Sequence, residues 1–461
     1  MRVRFPAIRK TRTLMKRLYI KSQGCQMNVY DTDRLADLLQ ADEEMELVDS
    51  PEEADLLLLN TCAIREKAQE KMFSEIGRWN QLKKADPSKV IGVGGCVAAQ
   101  EGSAITKRAP WVDLVFGPQT LHRVPDLLQS VTAAPVGRRI AAQDVTFPEI
   151  EKFDHLPPPG IKGPEGYVSI MEGCGKYCSY CVVPYTRGEE ISRPFDDILA
   201  EVRHLVAGGV REIHLLGQNV NAYSDKGEQG DIELADLIHA VAAMDQVARI
   251  RFTTSHPLEM SDCLIDCFRT QPKLVGHLHL PVQSGSDSIL AAMKRGYDSA
   301  RYLELVHKLR HARPGLPISS DFIVGYPGES EEDHQATLAL IHKVDFDVSF
   351  SFIFSARPGT PAAELDDTTP LEVKKRRLQE VQQLLNTQAD RHAQAMLGSK
   401  QTVLISDFSK KNLETLQGRT ENNRQVHIDN HDPMLIGRMV ECRITRVFAH
   451  SLAGELLRVL D

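Results

Sequence analysis

Three cysteines lie close together in the segment GCGKYCSYC, at Cys174, Cys178 and Cys181. The sequence offers no fourth ligand nearby, whereas a structural zinc site and an ordinary iron–sulfur cluster each take four protein ligands. Three thiolates on one tight loop can hold three corners of a cubane cluster and leave the fourth iron open. That iron would be a Lewis acid, able to bind nitrogen and oxygen donors of a small molecule. The alternative is a zinc site completed by a distant histidine.

A second set of three cysteines, Cys25, Cys62 and Cys96, is spread over the first part of the chain. Each could be a buried small hydrophobe, since these are not local motif spacings. Each also follows a predicted parallel strand, however, and the carboxyl ends of parallel strands meet at one edge of a sheet. Three thiols gathered there would hold a second cluster with an open corner. The other cysteines lie in apolar contexts and are predicted to be inert core residues: Cys263, Cys267 and Cys442.

Polar residues follow several predicted strands of the middle segment, in LLGQNVNAY, RFTTSHP, HLPVQSGS and SSDFIVGYPGE. We expect them at the mouth of a barrel, where they would either face a ligand or support the residues that do. The candidates are Gln218, Asn219, Ser255, Gln283 and Asp321.

The elements that position the first cysteines occupy residues 17–147. RLYIKSQGC, ADLLLLNTC and KVIGVGGC each predict a buried strand that ends in a cysteine-bearing loop. Helical stretches, DTDRLADLLQ and REKAQEKMFSEIGRWNQLKK, lie between them. Strands that alternate with helices predict a parallel α/β sheet covered on both faces. The proline-rich segment HLPPPGIKGPEG then marks a boundary.

Residues 160–397 contain six more predicted strands: YVSIM, EIHLLG, RIRFTT, HLHLPV, ISSDFIVG and VSFSFIF. Amphipathic helices lie between them, one of which begins at a capping box formed by Ser330 and Asp333. This alternation predicts an open (β/α)6 barrel with its chemistry at the carboxyl ends of the strands. A long charged helix, LEVKKRRLQEVQQLLNTQADRHAQAML, closes the segment.

The last segment, residues 398–461, changes to short β runs separated by turns. QTVLISDF, RQVHID, GRMVECRITRVF and GELLRVL predict a small all-β barrel. Within it, GRTENNR is either a polar reader of RNA or a solvated turn.

The composition is that of a folded protein, with 42% hydrophobic and 26% charged residues among 461. No apolar run approaches the roughly 20 residues of a membrane span, and we see no secretory signal, so we expect a cytoplasmic protein. The formal charge of −8 argues against indiscriminate coating of nucleic acid but allows a local basic patch. The opening MRVRFPAIRKTRTLMKR, which has seven basic residues and no acidic one, is either a frayed tail or an RNA contact.

From about residue 17 the chain resembles the radical S-adenosylmethionine methylthiotransferases, in particular the branch that modifies isopentenyl-adenosine in tRNA. The resemblance implies an N-terminal methylthiotransferase domain (17–147), a radical-SAM core (160–397) and a C-terminal TRAM domain (398–461). The motifs that carry it are GCQMN, NTCAIREKAQEK, GVGGCVA, FGPQTLHR, MEGCGKYCSYCVVPYTRGEEISRP, LLGQNVNAY, RFTTSHP, LPVQSGS, FIVGYPGE, FSARPGTPAA and GRTENNR.

The resemblance also implies cofactors: two 4Fe-4S clusters and S-adenosylmethionine, of which two molecules are used per turnover. One cluster would generate a 5′-deoxyadenosyl radical, and the open iron of the other would hold the sulfur that becomes methylated. The target, C2 of an N6-isopentenyladenosine beside the anticodon, has no acidic proton, so acid–base catalysis would fall short. Tyr180 would pack near the adenine of the cofactor, or serve in plain packing.

The implied partners are the anticodon loop of tRNA, a low-potential electron donor such as flavodoxin or ferredoxin, and a sulfur source. We expect no membrane partner, and a monomer. Four arginines are predicted phosphate contacts, with surface salt bridges as the alternative: Arg187, Arg193, Arg419 and Arg424.

Two other readings keep part of this chemistry. Sister branches methylthiolate an aspartate of a ribosomal protein or a threonylcarbamoyl-adenosine. A non-catalytic, metal-bound RNA-binding module is the alternative from another class, although such a module needs no cavity the size of a cofactor. Formation of 5′-deoxyadenosine under reducing conditions separates the enzyme from the module.

Overall fold

The computed structural model describes residues 17–63, 68–133, 141–147, 151–228, 230–410 and 412–460. The basic arm, residues 1–16, and the first three residues of a predicted helix, 65–67, lie outside these ranges. The chain divides into two compact units, Met1–Pro157 and Pro158–Asp461. Within the described ranges, no helix combines the length and the apolar character needed to cross a membrane.

The first unit is an α/β unit built on a parallel sheet that is six-stranded in its described part. Its strands are β1 (Arg17–Gln23), β2 (Glu46–Leu47), β3 (Leu56–Thr61), β4 (Val90–Gly95), β5 (Leu114–Phe116) and β6 (Ala142–Asp144). They lie in the order β2-β1-β3-β4-β5-β6 across the sheet. Its helices are α1 (Gln26–Glu43), α2 (Ala68–Ala85), α3 (Cys96–Glu101), α4 (Ser103–Arg108), α5 (Val124–Thr132) and α6 (Glu151–Asp154), with a 3-10 helix at Leu121–Arg123.

The sequence of the central strands explains this sheet. All residues of β3 (LLLLNT) and β4 (VIGVGG) are buried, as expected for parallel strands with both faces covered. Leu56, Leu58 and Phe116 on one side pack in a core with Leu35 and Leu39 of α1. The predicted parallel sheet is therefore confirmed.

The first part of the second unit contains a parallel barrel, whose strands alternate with helices, and short strands beside the barrel. Its strands are β7 (Glu165–Ser169), β8 (Met171–Glu172), β9 (Ile191–Ser192), β10 (Glu212–Leu216), β11 (Ser224–Gly227), β12 (Gly230–Glu233), β13 (Arg249–Phe252), β14 (Leu278–His279), β15 (Ile318–Ser319), β16 (Asp321–Val324) and β17 (Phe350–Ile353). Its helices are α7 (Val183–Arg187), α8 (Phe195–Ala207), α9 (Leu234–Ala242), α10 (Asp262–Thr270), α11 (Asp287–Ala292), α12 (Ser299–Ala312), α13 (Glu331–Val344) and α14 (Leu371–Ala395), with 3-10 helices at Val220–Ala222, Pro257–Glu259 and Pro361–Glu364.

The parallel ladders of the barrel follow one another along the chain. β7, β10 and β13 form one ladder, β14 pairs with β15, and β16 pairs with β17. Parallel bridges from Ile250 to Leu274 and from Gln283 to Phe322 link the ladders. β8 with β9 and β11 with β12 form small antiparallel pairs beside the barrel. β15 and β16 are two parts of one interrupted strand, so the six predicted strands are confirmed.

Alternation along the strands separates an apolar face from a polar one. Ile213, Leu215, Ile250 and Phe322 belong to the core that the strands share with the surrounding helices. The intervening residues face the barrel interior, because side chains alternate in direction along a strand. This interior face is largely polar and includes Tyr167, Glu212, His214, Arg249, Arg251, His279, Ser319 and Asp321.

The second unit ends in a closed five-stranded barrel. Its strands are β18 (Lys400–Ser409), β19 (Asn412–Thr420), β20 (Gln425–Ile428), β21 (Met439–Val447) and β22 (Leu452–Val459), with a 3-10 helix at Pro433–Leu435. The predicted all-β barrel is confirmed. GRTENNR spans the end of β19 and a tight turn into β20, so it is a hairpin turn.

Candidate cluster and cofactor site

Three neighbouring strands place Cys25, Cys62 and Cys96 at one edge of the first sheet. Gln23 pairs with Thr61 and Thr61 pairs with Gly95, so Cys62 and Cys96 follow directly after registered partners. The Cys62 amide donates to the Gln23 carbonyl at 3.0 Å, which fixes the first two loops side by side. Cys62 and Cys96 are 2% and 6% exposed, and Cys25 is half-buried. The sheet thus brings these cysteines to one edge, as the sequence predicts.

Close packing of the backbone holds these loops in place. A Cβ on Gly24 would lie 2.4 Å from the Cβ of Cys62. Gly95 has a φ of +91°, and a Cβ there would lie 2.3 Å from both the Asn60 side chain and the Thr61 carbonyl. Both positions therefore require glycine. Cys25 is the N-cap residue of α1, and its Sγ donates to Asn28 Oδ1 at 3.2 Å.

The segment GCGKYCSYC forms the loop between β8 and α7, at the carboxyl end of the barrel. Gly173 opens it with a φ of +78°, and a Cβ at this position would lie 1.8 Å from the Glu189 carbonyl oxygen. The Gly173 amide donates to Gln218 Oε1 at 2.6 Å. Ser179 Oγ donates to the Ala292 carbonyl at 2.9 Å and lies 2.8 Å from Tyr326 Oη. The loop is thus fastened at both ends before any ligand binds.

Arg295 is a residue of this site that the sequence did not reveal. Its Nη1 donates to Cys178 Sγ at 3.3 Å, and its side chain is buried. The two residues are 117 positions apart in the chain, so no local pattern connects them. The sequence signal that could have pointed to Arg295 is the cationic side chain in MKRGY, a segment between two predicted strands.

The protonation of the thiols reflects their burial. Burial raises the pKa of Cys174 and raises the pKa of Cys181 to about 12. In the protein alone these two thiols are protonated at neutral pH. Binding of iron must displace the protons, which makes loading of the site pH-dependent.

Several predicted cofactor residues carry buried polar atoms that have no hydrogen-bond partner among the described residues. They are Gln218 Nε2, Asn219 Oδ1 and Ser255 Oγ. His256 Nε2, which the sequence reasoning missed, is a fourth. A buried polar atom without a partner costs about 1–3 kcal/mol and calls for an explanation. All four atoms follow β10 or β13 at the carboxyl end of the barrel, so a polar small molecule bound there would satisfy them.

Gln283 and Asp321 lie near each other, because the Gln283 amide donates to the Asp321 carbonyl at 3.0 Å. Gln283 follows β14, as expected. Asp321 instead lies within the interrupted strand, before its carboxyl end, with Oδ2 3.4 Å from His279 Nε2. Tyr180 packs beside Ile323 against an apolar cluster that includes Phe354, and its Oη accepts from Arg295 at 3.5 Å. The cofactor-binding roles of these residues stay predictions.

Three of the four predicted phosphate contacts are paired with carboxylates. Arg187 and Arg193 are 3% and 7% exposed. The ion pairs are Arg187 with Glu172 at 3.8 Å, Arg193 with Glu201 at 2.8 Å, and Arg424 with Asp347. Arg419 differs, because it is half-buried and its Nη1 donates to the Asn423 carbonyl at 3.1 Å. The geometry favours structural roles for the first three, and the phosphate contacts stay predictions.

The described residues contain no group of three His, Cys, Asp or Glu side chains arranged around one metal ion. A cubane cluster places a different iron on each thiolate, so its cysteines need not converge on one metal ion.

The three cysteines outside these two sets differ in burial. Cys267 and Cys442 are buried as predicted, but Cys263 is exposed because it lies on the outer face of α10. The prediction that Cys263 is a core residue is wrong.

Comparison with known proteins gives three family matches in chain order. Residues 17–117 match the Uncharacterized protein family UPF0004, residues 168–341 the Radical SAM superfamily, and residues 394–457 the TRAM domain. The chain is 58% identical to the tRNA-2-methylthio-N(6)-dimethylallyladenosine synthase of Marinomonas sp. (strain MWYL1), over 96% of this chain and 98% of that protein. The chain belongs to the tRNA-2-methylthio-N(6)-dimethylallyladenosine synthase family. A second member, from Pseudomonas savastanoi pv. phaseolicola, is 56% identical over 96% of this chain and all of that protein.

Solved structures show the same fold in more distant proteins. The radical S-adenosylmethionine methyltransferase TsrM from Kitasatospora setae, with tryptophan substrate and a SAM analog bound, superposes with a TM-score of 0.53 at 14% identity, covering 76% of this chain and 75% of that one. The cobalamin-dependent radical enzyme OxsB gives 0.51 at 11% identity, covering 81% of this chain and 56% of that one. At these identities the likeness supports the fold of the synthase family and no more.

Proposed function

We propose that this protein converts N6-isopentenyladenosine beside the tRNA anticodon into its 2-methylthio derivative, using two molecules of S-adenosylmethionine per turnover. The observation that carries this proposal is 56–58% identity, over 96% of the chain, to synthases named for that product. The two cysteine sets at the carboxyl ends of two separate parallel sheets are the parts that such a reaction requires.

Each cysteine set holds one 4Fe-4S cluster in this proposal. Cys25, Cys62 and Cys96 hold the auxiliary cluster, and the second set, in GCGKYCSYC, holds the other. When bound, the clusters and S-adenosylmethionine supply an electron, a radical and the sulfur. The chain's own contribution is to leave one corner of each cluster without a protein ligand and to shield the thiolates partly or fully from water. Cys62→Ala should therefore abolish methylthiolation while cleavage of S-adenosylmethionine continues.

The unsatisfied atoms beside the barrel loop are suited to a zwitterionic cofactor. Gln218 Nε2 can donate to a carboxylate, and Asn219 Oδ1 can accept from an ammonium group. Ser255 Oγ and His256 Nε2 can each donate or accept, depending on hydroxyl orientation and tautomer. Gln283 and Asp321, on the opposite part of the interior, are proposed as further cofactor contacts, and Tyr180 as packing beside the adenine.

The open edge of the barrel offers a surface for the substrate base. Phe350 and Phe352 pair in register with Asp321 and Ile323, so all four side chains share the interior face. The two phenyl rings are nevertheless 54% and 46% exposed, because β17 has no further partner among the described strands. RNA-modifying enzymes stack unpaired bases on aromatic side chains. We assign these rings to the isopentenyl-adenine, whose apolar tail and base would cover them.

The C-terminal barrel supplies the remaining contact with tRNA in this proposal, and Arg419 is its phosphate contact. We keep the domain bounds 17–147, 160–397 and 398–461 for the methylthiotransferase, radical-SAM and TRAM domains. A flavodoxin- or ferredoxin-like donor, a separate sulfur source, a monomeric state and a cytoplasmic location complete the proposal. The electron donor and the sulfur source follow from the chemistry of the reaction, which consumes an electron and a sulfur atom.

Mass spectrometry of tRNA nucleosides tests the function. In a strain that lacks this protein, the methylthio-isopentenyl nucleoside should disappear and its isopentenyl precursor should accumulate. Reintroduction of the wild-type chain should restore it, and the Cys62→Ala chain should not. Persistence of the nucleoside, with loss of a different methylthio group, would show that the substrate assignment is wrong.

A further inference from the structure

Arg295 is held rigidly beside the cysteine loop of the barrel. Arg295 is 4% exposed, and its guanidinium donates in three directions. Nη2 bonds to the Pro281 carbonyl at 2.7 Å, and Nε bonds to Tyr297 Oη at 3.0 Å. Nη1 bonds to Cys178 Sγ at 3.3 Å. The planar fork therefore cannot turn away from Cys178 without losing the other two bonds.

The charge of Arg295 has no carboxylate partner in the part of the chain that the structure describes. Other buried arginines of the barrel do have one: Arg251 pairs with Glu212 at 2.9 Å, and Arg377 pairs with Glu329 at 2.8 Å. An unpaired buried cation is strongly destabilising, because a charge removed from water needs a partner of opposite charge. The Cys178 thiol lies within hydrogen-bonding distance of Arg295. When it binds iron, this thiol loses its proton and becomes an anionic thiolate.

We propose that Arg295 is a positioning residue that neutralises charge on the cluster held by Cys174, Cys178 and Cys181, and thereby raises its reduction potential. This inference rests on the proposed function. Three thiolates make the loaded site negative, and reduction adds one more negative charge. A fixed cation that donates to a ligand sulfur favours the reduced form, as hydrogen bonds to cluster sulfurs do in general. Arg295 touches a ligand and not the reacting atoms.

The test is a redox titration of the full-length chain in which Cys25, Cys62 and Cys96 are replaced by alanine, so that one cluster remains. Iron content is measured first, and the reduced cluster is then followed by electron paramagnetic resonance. Arg295→Gln removes the charge. Lys294→Gln is the matched control, because it removes the same charge one residue away, on an exposed side chain.

Arg295→Gln should lower the ratio of reduced to oxidised cluster at least tenfold at a fixed potential, which is about 59 mV for one electron. Lys294→Gln should leave the ratio unchanged. An unchanged ratio in a fully loaded Arg295→Gln chain would overturn the inference and leave the proposed function intact. If Arg295→Gln binds no iron, Arg295→Lys is titrated instead. A reduction potential near that of the parent supports the charge effect, whereas a potential about 59 mV or more below that of the parent contradicts it. Absence of iron from the parent chain would instead count against the proposed function.

Discussion

A buried carboxylate at the amino end of the barrel should determine the stability of the whole second unit. Glu212 is 0% exposed and lies 2.9 Å from Arg251 Nε and 3.7 Å from Arg249 Nη1. The same two arginines extend into the C-terminal barrel. Arg249 Nη1 donates to the Arg419 carbonyl at 2.8 Å, and Arg251 Nη1 donates to the Glu421 carbonyl at 3.0 Å. One carboxylate thus balances the two cations that fasten the hairpin turn of GRTENNR to the radical-SAM barrel.

Glu212→Gln keeps the size of the side chain and removes its charge, leaving two buried guanidinium groups without a carboxylate. Breaking a buried ion pair in this way costs about 3–5 kcal/mol. At about 2–4 °C for each kcal/mol, the melting temperature should fall by about 6 °C or more. Glu304→Gln is the control, because the side chain of Glu304 is 52% exposed and pairs with Arg301 at the surface. Its loss should cost less than about 1 kcal/mol.

The measurement is scanning calorimetry of the full chain, with attention to the transition of the second unit. Its pH dependence provides a second check. Burial by itself would raise the pKa of Glu212, but His214 and the two arginines outweigh it and hold the pKa well below the ordinary value of 4.5. Because the folded pKa is lowered, this stabilisation is present above about pH 4.5 and is lost as the pH falls through the folded pKa. The gap between wild type and Glu212→Gln should therefore narrow in acid. Equal melting temperatures for Glu212→Gln and Glu304→Gln would refute the reasoning.

Three further substitutions test the site. Gly173→Ala should disrupt the barrel loop and remove about half of the bound iron, whereas Gly175→Ala, whose added Cβ would lie 3.9 Å from the Glu190 Cβ, should retain it. Gly95→Ala should likewise cost the auxiliary cluster, with Gly77→Ala in an open position of α2 as the control that keeps full iron content. Phe352→Ala should raise KM for isopentenyl-tRNA about 5- to 150-fold, since stacking of a base is worth roughly 1–3 kcal/mol, without changing iron content. Iron retained by both strained alanine variants, or an unchanged KM, would contradict these assignments.

The sequence predicted the fold well where one residue pattern had one structural meaning. LLLLNT and VIGVGG are apolar throughout, and this pattern is typical of parallel strands buried on both faces. The capping box of α13 also has the predicted form, because Ser330 and Asp333 each accept from the other's amide. β19, by contrast, was missed, since NLETLQGRT is largely polar and carries no alternation of apolar residues.

The partners of charged residues in the site could not be predicted from the sequence. Arg424 pairs with Asp347 across 77 positions, and Arg295 reaches Cys178 across 117. A sequence shows which side chains carry charge, but contact between distant positions depends on how the strands and helices pack. For this reason the cysteines, which follow strands directly, were easier to place than the arginines.

Iron and sulfide content per chain tests the central claim most directly. After anaerobic reconstitution, the wild-type chain should bind roughly eight irons, as two 4Fe-4S clusters require. Replacement of Cys25, Cys62 and Cys96 by alanine should leave about four, and replacement of the three cysteines of GCGKYCSYC should also leave about four. Replacement of all six should leave none. Full iron content in either three-residue variant would contradict the assignment of one cluster to each cysteine set.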